Sequence, residues 1–209
     1  MIDHTIVQTF SGVRVRAAST WEDWDRRQGS TLLPLREAWE GCHSTDVMIS
    51  RYVVRKDQTV VSAPRLKKRS AAYNNLAEKN FTVECPILIG DIDEPDLPKD
   101  SFMSPEFLAS KRAILGRYHE ELGIWGYCTT RGGFHLLLVL KEPVTPEHSE
   151  KIYSALAKKL KGYDLILDRA CKDWTRLVRA PKVQRGDYRT EELEFFETMT
   201  WNNIYEVPQ

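Results

Sequence analysis

The chain has 209 residues, 42% of them hydrophobic and 29% charged, with 30 basic and 30 acidic side chains and a formal net charge of zero. That length and apolar content can bury a core without staples and exclude a disordered or fibrous class. No apolar run reaches the length of a membrane span, and "MIDHTIVQTF" lacks the charged-then-apolar order of a secretory leader, so a cytoplasmic protein without membrane partners is expected.

Along the chain, "WEDWDRRQ" and "LPLREAWE" read as short helical pieces with aromatic anchors. Residues 51–69 carry seven basic residues against one acid, and a helix is expected over 65–79. "FTVECPILIGDID" reads as a strand apolar on both faces and therefore central, starting just after Pro86. Ser104-Pro105-Glu106 opens a helix with an N-cap, an N1 proline and an early acid, and Gly123 stops it. "IWGYCTT" and "FHLLLVL" around "RGG" predict a hairpin. Thr145-Pro146-Glu147 opens another helix, ending near Gly162. "YDLILD" and "TRLVRAP" read as strands, with "ELEFFE" as a last one. Strand, helix, hairpin, helix, strand, strand is an α+β order, an antiparallel sheet covered by helices.

The four cysteines, Cys42, Cys85, Cys128 and Cys171, fall 43 residues apart, but their flanks share nothing and there is no C-x-x-C. They read as free buried thiols. The acids are more informative. Asp91 and Asp93 end the apolar strand two residues apart, which puts both carboxylates on one face. Two such groups repel unless a cation lies between them, and hard oxygen ligands suit Mg²⁺ or Mn²⁺. A bare D-x-D is more often an exposed acidic turn; the buried strand before it aims this pair at a fixed place. An EF-hand is a poor fit, because Asp96 and Phe102 stand where its glycine and glutamate belong.

In "TTRGGFHLLL", Arg131 and His135 flank a glycine pair that allows close approach of a ligand, and a phosphate contact fits there. Asp168 ends a third apolar run, and Arg176 and Arg179 follow in a strand-like context, offering forked donors that match phosphate oxygens.

The order of these motifs resembles the archaeo-eukaryotic primase superfamily, and within it the compact primase-polymerases of phages, plasmids and mobile elements. The likeness covers about residues 45–185 and rests on "DID" (Asp91, Asp93), "GFH" (Gly133, His135) and "LILD" (Asp168). It implies that the three acids bind two Mg²⁺ or Mn²⁺ ions, which sit about 3.5–4 Å apart in such sites. It implies that His135, Arg131, Gly133, Arg176 and Arg179 bind an incoming nucleoside triphosphate. Many relatives carry Ser where Gly133 stands, so a backbone N–H would replace the hydroxyl contact. The basic segment would meet a single-stranded DNA template or the nucleotide through Arg51, Lys67, Lys68 or Arg69.

The implied fold is an RRM-like antiparallel catalytic sheet with helices, residues 81–209, packed against an N-terminal α/β unit, residues 1–80, as one catalytic domain. The implied activity is template-dependent nucleotidyl transfer that makes or extends primers, with a helicase domain or partner as a further expectation. Two alternatives stand beside it: a metal-dependent nuclease, and a non-catalytic RRM-like module that holds single strands. No H-x-H pair or acid-x-Lys motif follows "DID", and the predicted central strands offer carboxylates and aliphatics rather than the aromatics of RRM readers.

Overall fold

A computed structural model describes residues 4–9, 29–34, 47–61, 66, 68, 71–99, 101–181, 184–185, 188–189 and 193–195. In chain order these form β1 (His4–Thr9), β2 (Gly29–Pro34), β3 (Val47–Ile49), β4 (Val53–Lys56), β5 (Thr59–Val61), α1 (Ala71–Glu78) and β6 (Phe81–Asp93). Next come α2 (Pro105–Leu122), β7 (Gly126–Thr129), β8 (Gly133–Val144), α3 (Pro146–Lys161) and a 3₁₀ turn over Arg169–Lys172. Four short strands follow: β9 (Val178–Arg179), β10 (Gln184–Arg185), β11 (Tyr188–Arg189) and β12 (Leu193–Phe195). The chain divides into two units, Met1–Pro86 with Asp173–Arg189, and Ile87–Lys172 with Thr190–Gln209. The division is not a single cut, and the first crossing falls inside β6.

The first unit holds an antiparallel sheet in the order β2-β1-β3-β9. Its β4–β5 hairpin turns through Asp57 and Gln58, both at positive φ (48° and 68°), the two-residue geometry that matches strand twist. β4 pairs with the start of β6 from Val53↔Glu84 to Lys56↔Phe81. Tyr52 and Trp174 are buried and meet edge to face at 5.2 Å, and Tyr73 lies 5.2 Å from the same indole.

The second unit orders its strands β12-β7-β8-β6, with helices after β6 and β8. This β-α-β-β-α order on an antiparallel sheet is RRM-like. The α+β class expected from the sequence is the one the chain adopts. Both long helices start and stop where the caps predict. Ser104 accepts a hydrogen bond from the Phe107 N–H, Gly123 takes φ 67°, and Thr145 accepts from the His148 N–H. The core packs Leu88 and Ile92 of β6 and Phe134, Leu136, Leu138 and Leu140 of β8 against Leu115 and Leu122 of α2 and Ile152, Leu156 and Leu160 of α3. Each of these side chains is 2% exposed or less.

Four expectations are corrected. β6 does not begin after Pro86 but runs unbroken from Phe81. The ladder with β4 ends at Glu84, so the proline's missing N–H falls beyond it. The helix expected over 65–79 starts only at Ala71. Residues 165–168 carry no ladder and lead into the 3₁₀ turn, although the Asp168 N–H donates to the Asp91 carbonyl at 2.7 Å. "TRLVRAP" contributes only the two residues of β9. Leu33 and Pro34 end β2; the rest of the two tryptophan-containing pieces lies outside the described residues. Among the described residues, no helix is long and apolar enough to cross a membrane.

Candidate active site

Because successive strand residues alternate faces, Leu88 and Ile92 turn one side of β6 to the core while Asp91 and Asp93 share the other. β8 alternates likewise, so His135 stands opposite in facing to Phe134 and Leu136. His135 Nε2 lies 3.5 Å from Asp91 Oδ1, and both side chains are 15% exposed. Asp93 is exposed.

Asp168 reaches the same place from a distant part of the sequence. Its backbone N–H bonds to Asp91, and its carbonyl accepts from the buried Tyr153 hydroxyl at 2.9 Å and from the Cys171 N–H at 3.1 Å. Its Oδ1 accepts from the Ala170 N–H at 2.8 Å. Main chain and side chain are thus both fixed. One ligand atom each from Asp91, Asp168 and Cys171 lie within 4.8 Å of one another, the two acids half-buried and the thiol buried. Asp93 is not in that group.

The other predicted residues fall in different settings. Gly133 is required by packing, since a Cβ there would sit 1.7 Å from the Ile92 carbonyl oxygen. Its N–H donates to Thr130 Oγ1 at 2.9 Å, which engages it in the turn. Arg131 is half-buried on that turn. The turn is held by the loop after β6: Glu94 N–H donates to the Gly132 carbonyl at 2.9 Å, and Met103 N–H to the Arg131 carbonyl at 2.8 Å. Arg176 and Arg179 belong to the first unit. The Arg176 N–H donates to the Asp173 carbonyl, and Arg179 pairs with Met48 in the β3–β9 ladder. Arg51 is 2% exposed and its Nη2 donates to the Asp173 carbonyl, a buried tether rather than a surface contact. Lys68 is exposed in a turn; Lys67 and Arg69 lie outside the described residues.

Three residues were not singled out by the sequence. Glu94, third acid of the "DIDE" run, accepts from both the N–H and Oγ of Ser104 at 2.6 Å and so anchors the start of α2. Tyr153 steadies Asp168. Cys171 is the third, and its signal is the spacing: residues three apart eclipse in a 3₁₀ turn, which stacks Cys171 on Asp168. The neighbouring Cys128, opposite His135 in the β7–β8 ladder, is different. Burial chiefly, and the Asp91 charge in addition, push its thiol up to about 12, against a smaller lowering by a hydrogen bond with the His135 backbone.

No protein-family profile matches the sequence, and no curated protein matches it. Among solved structures, the chain is similar to the polymerase domain of Ligase D from Mycobacterium tuberculosis in complex with DNA. The identity is 14% and the TM-score 0.47, over 96% of this chain and 75% of that one. It is also similar to the AEP domain of the cyanophage S-2L primase-polymerase, at 11% identity and a TM-score of 0.43, over 98% of this chain and 85% of that one.

Proposed function

We propose that the chain is a template-dependent nucleotidyltransferase that makes or extends primers on single-stranded DNA. The observation that carries the reading is the meeting of Asp91 and Asp168, far apart in sequence, within 4.8 Å at one strand end, with His135 Nε2 3.5 Å from Asp91. Carboxylates so placed repel one another, and a fold keeps them there when a cation uses them.

The donor set fits a hard divalent ion. Asp91 and Asp168 supply half-buried carboxylates, and Asp93 adds an exposed one on the same face of β6. These three would hold Mg²⁺ or Mn²⁺, whose chemistry in such a site is to favour the 3′-alkoxide of a primer and neutralise a triphosphate. The chain's own side chains do the rest. His135 offers a ring N–H toward phosphate oxygens, and Arg131 a planar fork of donors from the adjoining turn. For Arg176 and Arg179 the support is their sequence position after the third acid. A hydrogen-bonded Asp168 backbone keeps its carboxylate aimed without reorganisation as charge develops.

A non-catalytic strand binder explains this face less well. Reading single strands on a sheet calls for stacked aromatics, and Asp91, Asp93, His135 and Cys128 are not that. The test is one reaction: protein, unprimed single-stranded DNA, all four nucleotides of either sugar, and Mg²⁺ or Mn²⁺. Short new oligomers are expected from the parent and none from Asp91→Ala. Shortening of labelled DNA without nucleotides would instead indicate a nuclease. Nucleotide binding indifferent to Mn²⁺, with no synthesis, would leave the binding module.

A further inference from the structure

Of the groups outside the proposed chemistry, the Lys111–Asp164 pair is architectural. The buried ammonium donates to both the carbonyl and the carboxylate of Asp164, at 2.7 and 2.6 Å, fastening α2 to the turn after α3. Cys128 is buried, with its thiol pushed up to about 12, and does not belong to the acid group. Cys171 is neither. It is 1% exposed, yet its sulfur is grouped with the two acids rather than with the core alone.

We propose that Cys171 completes, with Asp91 and Asp168, a site for a thiophilic divalent cation of the zinc class, which competes with Mg²⁺ for the same carboxylates. The inference rests on the reading of those acids as ion ligands. Mg²⁺ takes oxygen and does not take sulfur; a thiolate selects a softer ion. Zinc binds Asp oxygen at about 2.0–2.2 Å and Cys sulfur at about 2.3 Å, and is held by mixed sets of three or four donors. Here two oxygens and one sulfur come from β6, from Asp168 just before the 3₁₀ turn and from Cys171 within it, with ligand atoms within 4.8 Å. His135 Nε2 lies 3.5 Å from Asp91 Oδ1 but outside that group of three, so it neighbours one ligand, and solvent would supply the fourth position.

The arrangement has a backbone cause. The Cys171 N–H donates to the Asp168 carbonyl at 3.1 Å, closing the turn that stacks residue 171 on residue 168. On binding, the S–H bond is replaced by a sulfur–metal bond and the proton goes to solvent, with no change of oxidation state. At a shared N/O/S site zinc-class ions outrank Mn²⁺ in affinity, so they occupy it at lower concentration.

Cobalt(II) is the probe. Titrated into the reduced full chain, it should give a thiolate-to-cobalt charge-transfer band. The band should vanish in Cys171→Ser, weaken in Asp91→Asn and Asp168→Asn, and persist in Cys128→Ser. In the synthesis assay with Mg²⁺, the Zn²⁺ concentration for half-inhibition should rise at least tenfold in Cys171→Ser relative to the parent. If that variant fails to fold by circular dichroism, Cys171→Ala, which keeps an apolar filler, replaces it. Absence of the band from the parent, or its survival without Cys171, overturns the proposal. Synthesis by the parent without a cobalt band sinks this inference alone. A cobalt band that depends on Cys171, in a protein that never synthesises, sinks the polymerase reading and leaves the ion site standing.

Discussion

The two faces of the second unit's sheet come from the same strands and have opposite duties. On one, Leu88, Ile92, Phe134, Leu136 and Leu138 are at most 1% exposed and close against two helices. On the other, at alternate positions, Asp91 and His135 keep 15% of their side chains in solvent and Asp93 is exposed. That second face is polar only at this end of the strands, since Ile87, Ile89, Leu137 and Val139 on it are at most 3% exposed; a period of two lets the polar patch sit beside the core. The dry face fixes where the polar patch stands, so the former should answer to stability measurements and the latter, on the proposed reading, to synthesis.

The sharpest way to separate them is Asp91→Asn, which should cut synthesis about a thousandfold. Its unfolding free energy should move by less than about 1 kcal/mol. A matched collapse of stability in denaturant would make the residue structural and erase the contrast. Phe134→Ala should do the reverse. Its ring is fully buried and touches Phe107 and Tyr127 at centroid distances of 6.3 and 5.6 Å. Chemical denaturation should report a loss of about 3–5 kcal/mol, with activity per folded molecule retained.

Tyr153→Phe tests the hinge between the faces, because the ring lies in the core while the hydroxyl serves Asp168. Calorimetry should find Mn²⁺ bound about tenfold more weakly, the size expected for an outer-layer contact. An unchanged affinity alongside reduced stability would assign the hydroxyl to folding alone. The smallest effect concerns pH. Cys128 holds its proton to about 12 when folded, against 9.0 for an ordinary thiol. Its folded pKa is raised, so its contribution is complete below pH 9 and declines as pH climbs from 9 toward 12. By pH 10 the parent should lose about 1 kcal/mol that Cys128→Ala does not lose. Parallel pH profiles for the two proteins would refute the assignment.

Local grammar made much of the second unit legible. Ser104-Pro105 and Gly123 delimit α2, and Thr145-Pro146 starts α3, because cap chemistry acts within a few residues. The order of the acids predicts that Asp91, Asp93 and Asp168 meet; Asp91 and Asp168 lie within 4.8 Å, Asp93 falls outside that group, and Asp168 ends no strand. What stayed hidden depends on neighbours distant in sequence. Pro86 is tolerated inside β6 because β4's ladder ends at Glu84, a fact no window around the proline contains. Cys171 is the free buried thiol its sequence predicts, but its nearness to Asp91 joins segments 80 positions apart and leaves no local signature. The burial of Arg51 is equally invisible locally, because its acceptor, the Asp173 carbonyl, is a backbone group more than a hundred positions away.

The loop between β6 and α2 carries one more consequence. Its two ends grip the Arg131 and Gly132 carbonyls, and its first acid clasps Ser104. Guanidinium, carboxylate strand and helix start are therefore braced like spokes on one hub. Lengthening or loosening that stretch would redirect Arg131 without replacing any residue of the proposed site, giving this chain a tuning dial set well back from the clustered acids.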